Sequence, residues 1–170
     1  VLLEGGLNYG QLPKGLIRFH KYEKEDRTPV EEHLVEGAAY TRDREDRARL
    51  HFTVSDEHLD GFIDLLDQKQ KLYEKRLDVS YQIDFSIQRS FTDTIAVDMD
   101  NHPFRDENGK LLFRPGGHGA LLANLNELEG DLIFIKNIDN IAPDRMKSTT
   151  FLNKKALAGV LLKNQEKVFE

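Results

Sequence analysis

The sequence predicts an α/β fold in which a mostly parallel, mixed sheet lies between helices on both faces. Three observations predict it. Strand-like and helix-like segments alternate along the chain. Residues 79–88, "VSYQIDFSIQ", place apolar side chains at every second position, as a half-buried strand does. Residues 132–135, "LIFI", are apolar at consecutive positions, as in a strand that is covered on both faces. Together these features favour a three-layer, Rossmann-like domain.

The first half of the chain provides a loop, a helix and a strand. Residues 1–15, "VLLEGGLNYGQLPKG", contain four glycines and a proline and are typical of a loop. Pro29, preceded by Thr28 as a candidate N-cap, begins a helix with apolar residues at helical spacing. Residues 50–54, "LHFTV", are rich in residues that favour strands.

A second helix follows, and Ser55 is its candidate N-cap because Asp56 and Glu57 occupy the first turn. Its predicted buried stripe consists of Leu59, Phe62, Ile63, Leu66 and Tyr73. After the strand at 79–88, residues 89–114 form an irregular insert in which "DENG" predicts a hairpin turn. A glycine loop, a helix near 120–128, a strand at 131–137 and a final helix from about Lys154 complete the prediction.

The totals limit the class of protein. A chain of 170 residues can bury a core as one domain, and we assign 1–170 to a single domain. A net charge of −6 argues against a nucleic-acid partner. No apolar run is long enough to span a bilayer, so we expect no membrane partner. The absence of cysteine and of a secretion signal favours a cytoplasmic protein. The chain starts without Met and stops within a helical pattern, so we expect a fragment of a longer protein.

Two neighbouring motifs point to a ligand. "PGGHG" (residues 115–119) precedes a helix, where unpaired backbone N–H groups attract an acceptor and glycines let a ligand approach the backbone. Asp139, at the end of the predicted strand, is a candidate ligand for Mg²⁺, which needs only one or two carboxylates beside substrate phosphates. Asn137 and Asn140 are candidate hydrogen-bonding residues. Each motif alone also suits an ordinary turn.

These residues resemble the uridylyltransferase group that includes UTP–glucose-1-phosphate uridylyltransferase and UDP-N-acetylglucosamine pyrophosphorylase. "PGGHG" followed by "IFIKNIDN" is similar to its glycine loop and N-x-DN motif, and "IDFSIQ" and "LPKGL" resemble two further motifs in the correct order. The matches lie in pieces between residues 12 and 144. The chain also resembles a bacterial domain family of unknown function with the same motifs.

The resemblance implies a nucleotide-diphospho-sugar transferase (GT-A) type of fold and a nucleotidyltransferase that joins UTP to a sugar-1-phosphate and releases pyrophosphate. It implies catalytic roles for Lys14, which would neutralise phosphate charge, and for Asp139, which would bind Mg²⁺. The residues implied for substrate binding are Gln88, Gly116, Gly117, His118 and Gly119 for the nucleotide, and Asn137 and Asn140 for the ribose or sugar.

The resemblance has one clear departure. The family's N-terminal glycine-rich loop carries an arginine that binds the triphosphate, and "EGGLNYG" lacks it. That loop lies upstream or has been lost, so this chain alone need not be active. A non-catalytic nucleotide- or nucleotide-sugar-binding module is therefore the second hypothesis. A metal-dependent glycosyltransferase is the third, because "DMD" (98–100) matches its D-x-D pattern.

The remaining histidines favour structural roles in the sequence. We expect His33 and His51 to be hydrogen-bonded within the fold, and we expect His20, His58 and His102 to have no partners at metal-ligand spacing. Asp98 and Asp100 remain open as further metal ligands, although a hairpin turn suits "DMDN" better. The sequence contains no indication of oligomeric state.

Overall fold

The structure is a computed structural model that describes Gly6 and residues 9–169. The described residues divide into two compact units. The first contains the described residues up to Leu50, together with residues 58–84 and 131–169. The second contains residues 51–57 and 85–130, and so includes the predicted insert at 89–114.

Helices and short strands alternate in the order β1, β2, α1, β3, α2, β4, β5, β6, α3, α4. The strands are β1 (His20–Lys21), β2 (Asp26–Arg27), β3 (Arg47–Val54), β4 (Ser80–Ile87), β5 (Thr94–Ile95) and β6 (Phe113–Arg114). The helices are α1 (Pro29–Tyr40), α2 (Leu59–Leu77), α3 (Leu122–Asn126) and α4 (Asp144–Phe169). The class is therefore mixed α/β, as the sequence predicts.

The sheets are small. Three two-stranded sheets pair β1 with β2, β3 with β4, and β5 with β6 among the described residues, and the first and third are antiparallel. Around β3 and β4, Ser80 N donates to Asp46 O and Gln88 N donates to Val54 O. The bonded partners advance along both strands together, as they do in a parallel pair. One β–α–β unit of the expected kind is thus present.

Helix α1 begins where the sequence predicts. The Thr28 side chain accepts from the Glu31 backbone N–H, and the Glu31 carboxylate accepts from the Thr28 N–H, which completes a capping box. Pro29 occupies the first helical turn, where its missing N–H costs nothing. Val30 and Leu34 are fully buried, so the predicted apolar face of this helix is confirmed at these positions.

Helix α2 begins later than predicted. Residues Asp56–His58 form a 3₁₀ turn, and the N-cap position is taken by His58 without a side-chain hydrogen bond. The prediction that Ser55 caps this helix is therefore wrong, because the intervening turn moves the helix start by three residues. Phe62, Leu66 and Tyr73 of the predicted stripe are buried, whereas 38% of Ile63 remains exposed.

The predicted strand at 131–137 is not formed. In the described part of the chain this segment has no strand partner, and only alternate side chains are even half-buried. Ile133 and Ile135 are exposed, so the expectation of a strand covered on both faces is wrong here. An extended segment becomes a strand only when a neighbour satisfies its backbone.

Two helix boundaries also differ from the sequence prediction. The helix after the glycine loop is short, with a 3₁₀ turn at His118–Leu121 and then α3. The final helix begins at Asp144, ten residues before the predicted Lys154, directly after Pro143. None of the helices in the described part of the chain is both long and apolar enough to cross a bilayer.

In the second unit, the insert forms a small meander. β5 pairs with β6, and the isolated bridges Val97↔Pro103 and Arg105↔Leu111 lie between them. The predicted "DENG" turn is confirmed: Asp106 accepts from two backbone N–H groups, and Gly109 adopts a left-handed φ of 76° that favours glycine.

Candidate functional site

Lys14 and Asp139 meet in the first unit, although 125 residues separate them. The Nζ of Lys14 lies 2.6 Å from Oδ2 of Asp139. The Lys14 side chain is 66% exposed and the Asp139 side chain 35%, so a ligand in solvent can reach both. These are the two residues to which the sequence resemblance assigns catalytic roles.

The backbone brings these two side chains together at a glycine. A Cβ placed on Gly15 would lie 2.6 Å from Cζ of Phe62 and 3.3 Å from Cγ1 of Ile138. Gly15 is buried at this contact, directly after Lys14, and Ile138 directly precedes Asp139. The missing side chain at Gly15 therefore lets the Lys14 loop pack against the Asp139 segment.

Residues 137–140, "NIDN", form a tight turn. The Asn140 backbone N–H donates to the Asn137 carbonyl at 3.1 Å, which places Asp139 within the turn. The side chains of Asn137 and Asn140 are exposed on either side of it. Two exposed amide side chains thus flank the Asp139 carboxylate along one short turn.

The donor set fits Mg²⁺ in chemistry. Mg²⁺ prefers hard oxygen ligands and is commonly held by one or two carboxylates together with substrate phosphates. Asp139 would hold the ion, and the exposed amides of Asn137 and Asn140 beside it in the turn remain candidates for hydrogen bonds to a polar ligand. Lys14, as a compact ammonium, would counter phosphate charge beside it.

Gln88 lies in the second unit, at the end of β4. Its backbone N–H bonds to the Val54 carbonyl at 3.0 Å, which fixes its position at the carboxyl end of the strand. Gln88 lines an open cleft of about 520 Å³ together with Arg89, Asp93 and Pro115. Its side-chain Nε2 has no hydrogen-bond partner among the residues that the structure describes. The residue that lines this cleft thus carries a buried amide donor that the described residues leave unpaired.

The glycines of the "PGGHG" loop differ in what they require. A Cβ on Gly116 would lie 2.7 Å from the Thr92 carbonyl oxygen, so packing within the unit demands glycine there. Gly117 and Gly119 face open space, and neither has a left-handed backbone. Neither conformation nor packing within the described chain therefore explains these two glycines. His118 between them is exposed.

The turn at Asp98–Asn101 corrects one expectation. Ligand atoms of Asp98, Asp100 and His102 all lie within 4.8 Å of one another, so His102 does have partners at metal-ligand distance. The chain folds back between Asp98 and His102, which the linear spacing does not show. Asp98 Oδ1 already accepts from the backbone N–H groups of Asp100 and His102. Those bonds make the carboxylate a turn-forming group, as predicted for "DMDN".

The predicted structural histidines are hydrogen-bonded. His33 Nε2 lies 3.0 Å from the Ile138 carbonyl oxygen, and His51 Nε2 lies 2.9 Å from the Ser86 hydroxyl. No sequence pattern connects His33 with the Asp139 segment, because 105 residues separate His33 from Ile138.

Sequence reasoning missed the buried acids of α1. Glu31, Glu32 and Glu36 are almost fully buried. Glu32 accepts from Lys147 at 2.6 Å and from Tyr22 at 2.7 Å, and its further neighbours are His20 and the Arg27 guanidinium, which lies 3.6 Å away. The T-x-x-E spacing could have identified Glu31 as a cap partner, but no local signal marks Glu32 or Glu36, whose cations come from distant segments.

Burial raises the pKa of Glu32, but the hydrogen bonds from Lys147, Tyr22 and His20 outweigh it, so the pKa lies below its usual value. The carboxylate is therefore charged at neutral pH. This acid and its partners help to fix α4 against α1, since Lys147 belongs to α4.

The segment that lacks the family's arginine is described only in part. Of the segment "EGGLNYG" (residues 4–10), Glu4, Gly5, Leu7 and Asn8 lie outside the described residues.

Fold and site together define an α/β protein with an accessible lysine–aspartate pair. The family model described as "Domain of unknown function (DUF4301)" matches residues 1–170, and the chain belongs to this family. The match agrees with the expected resemblance to a domain family of unknown function. No curated protein and no solved structure matches the chain.

Proposed function

We propose that this chain is a nucleotidyltransferase-like domain that binds a uridine nucleotide with Mg²⁺. The proposed reaction transfers the nucleotidyl group to a sugar-1-phosphate. The observation that carries the proposal is the 2.6 Å contact between Lys14 and Asp139. The two residues belong to separate motifs at opposite ends of the chain, and their meeting is what a shared phosphate and metal site requires.

The proposed reaction depends on positioning the substrates and neutralising phosphate charge rather than on covalent catalysis. An oxygen of the sugar-1-phosphate would bond to the α-phosphorus of UTP, and the bond from that phosphorus to the pyrophosphate oxygen would break. Mg²⁺, when bound, would neutralise phosphate charge. Asp139 would bind the ion, and Lys14 would leave the Asp139 carboxylate to pair with a phosphate oxygen.

Features of the second unit support nucleotide binding. Gln88 lines an open cleft, and its buried Nε2 has no described partner. A rotation of this side chain into the cleft would pair the amide with the acceptors of a uracil edge. Gly117 and Gly119 leave the loop backbone open to a flat ligand. These features also suit a module that binds a nucleotide without turnover, which is the second candidate function. The second candidate rests on the unpaired Gln88 amide alone, because base binding through Gln88 needs neither Lys14 nor Asp139.

Calorimetry with UTP and UDP-glucose, with and without Mg²⁺, tests the proposal. We expect wild type to bind UTP more tightly when Mg²⁺ is present, and Asp139→Ala to lose that Mg²⁺ dependence. Asp131→Ala is the matched control, because Asp131 is an exposed acid in the same segment. We expect Gln88→Leu to reduce the preference for UTP over ATP.

Three results separate the candidates. Binding with an Mg²⁺ dependence that vanishes in Asp139→Ala supports the nucleotidyltransferase-like assignment. Binding that is indifferent to Mg²⁺ and to Asp139 favours the module without turnover. A folded wild type that binds neither nucleotide contradicts both.

A further inference from the structure

Helix α1 is attached to the segment that carries Asp139 at two points. His33 Nε2 lies 3.0 Å from the Ile138 carbonyl oxygen, and Glu36 accepts a hydrogen bond from the Lys136 ammonium. Side chains three residues apart lie on the same face of a helix, and both His33 and Glu36 are buried. The two contacts therefore fall on the residues just before Asp139.

The histidine contact has a definite direction. A carbonyl oxygen only accepts, so His33 donates from Nε2–H. Burial lowers the pKa of His33 more than the bond to Ile138 raises it, so the ring is neutral at neutral pH. His33 thus fixes the Ile138 carbonyl without adding a positive charge beside Lys136.

Because both side chains are largely buried, the Glu36–Lys136 ion pair is a poor source of stability. Glu36 is fully buried and only 10% of the Lys136 side chain is exposed. Oε1 of Glu36 has no hydrogen-bond partner among the described residues, while Tyr40 donates to Oε2 at 3.2 Å. A buried ion pair is often no more stabilising than apolar residues of similar size, and an unpaired buried oxygen adds a penalty. What the pair does provide is a contact that attaches the Lys136 side chain to α1.

We propose that His33 and Glu36 are positioning residues that hold residues 136–138 so that the Asp139 carboxylate faces Lys14. This inference rests on the proposed function, because it names the Mg²⁺ and phosphate ligand as the group that is positioned. Helix α1 would then contribute to the site indirectly, through residues 136 and 138, because no described hydrogen bond or ion pair joins its side chains to Lys14.

The test measures the segment and the carboxylate separately. Hydrogen exchange of the Asn140 amide reports on the turn, because that amide donates to the Asn137 carbonyl. Mn²⁺ affinity in the presence of UTP, measured by electron paramagnetic resonance, reports on Asp139. The variants are His33→Leu, which removes the donor, and His33→Gln, whose amide can replace it. Val30→Ala is the control, since it loosens the same helix elsewhere.

We expect His33→Leu to speed exchange at Asn140 and to weaken Mn²⁺ binding, both by about tenfold, as the loss of a group that orients a metal ligand does. His33→Gln should keep both the Asn140 exchange rate and the Mn²⁺ affinity near their wild-type values. Val30→Ala should change these two quantities much less than His33→Leu does. If His33→Leu does not fold, Glu36→Leu combined with Lys136→Met removes the other attachment without stranding a charge. We expect the same two changes from it.

The outcomes are distinguishable. Unchanged Asn140 exchange in His33→Leu, or faster exchange with unchanged Mn²⁺ affinity, overturns the positioning role. An equal effect of Val30→Ala overturns it too, because the response would then report general loosening. If wild-type Mn²⁺ binding does not depend on Asp139, the proposed function fails, while Asn140 exchange still decides whether His33 holds the turn.

Discussion

At the scale of the residue, three neighbouring glycines have different reasons to be glycine. Gly116 contacts a backbone carbonyl so closely that a side chain does not fit. Gly117 and Gly119 meet no such neighbour and have an ordinary backbone. Packing thus explains the glycine at position 116 but not the glycines at positions 117 and 119.

Alanine at each glycine tests this difference. We expect Gly116→Ala to destabilise the protein, because the added methyl group must displace Thr92 or Ala120. Gly117→Ala and Gly119→Ala should keep wild-type stability and weaken UTP binding, since the methyl group would stand where the ligand approaches. Thermal unfolding and calorimetry on the three variants measure both effects. Normal UTP affinity in both of the latter variants would contradict a binding role for the loop.

At the scale of the element, α1 is a helix whose buried face carries acids. Its three buried glutamates are each matched by a cation from another segment: Lys69, Lys136 or Lys147. This helix therefore depends on distant partners for the neutralisation of its charge. Breaking a buried pair costs more than the pair contributes, because one charge is left without compensation.

We expect Lys147→Met to lower the free energy of unfolding by about 3 kcal/mol, the lower end of the cost of breaking a buried pair, since Glu32 would remain buried and charged with only Arg27, 3.6 Å away, as a cation. Lys14→Met should cost no more than about 1 kcal/mol, because its pair with Asp139 is solvent-exposed. Urea denaturation of the two variants makes the comparison. Equal losses would show that burial does not govern the two pairs. Adding Glu32→Leu to Lys147→Met should recover part of the lost stability.

The local elements are predictable where the cause is local. The start of α1 is predictable from four residues, which include Thr28, Pro29 and Glu31. The alternation of apolar and polar residues predicts β4. The failures lie where partners are distant. No short window shows that residues 131–137 lack a neighbouring strand, or that Glu36 meets a cation 100 residues away. Motif resemblance singles out Lys14 and Asp139, whereas His33 resembles any buried histidine until Ile138 is placed beside it.

At the scale of the whole molecule, tyrosine fluorescence offers a selective view of stability. The chain has no tryptophan and five tyrosines, which are Tyr9, Tyr22, Tyr40, Tyr73 and Tyr81, and all belong to the first unit. Unfolding followed by this signal therefore reports on the unit that contains His33 and the Lys14–Asp139 pair.

The pH dependence of that unfolding should show a contribution from His33. Its folded pKa is lowered by burial, so below its ordinary value of about 6.5 the unfolded chain binds a proton that the folded chain does not. The contribution of His33 to the free energy of unfolding is thus fully present above pH 6.5. It falls as the pH drops below 6.5, by at most about 1.4 kcal/mol per pH unit. The groups that act on the ring include Lys136, Glu36 and the backbone of Asn137 and Ile138.

We expect His33→Gln to flatten the loss of stability between pH 6.5 and pH 5, as measured by urea denaturation with tyrosine fluorescence. Identical slopes in wild type and the variant over this interval would show that His33 protonates as readily in the folded chain as in the unfolded one.

The contacts around Asp139 also have a consequence for synthesis. Lys14, His33 and Glu36 each bond to residues that the ribosome adds at least 100 residues later. At the synthesis rates typical of cells, of about 5–20 residues per second, several seconds pass between the two halves of each contact. During that interval Glu36 of α1 lacks the Lys136 ammonium, and Lys14 lacks the Asp139 carboxylate. A nascent chain that stops before residue 136 therefore cannot contain the proposed site, even if α1 and the β3–α2–β4 unit have already folded.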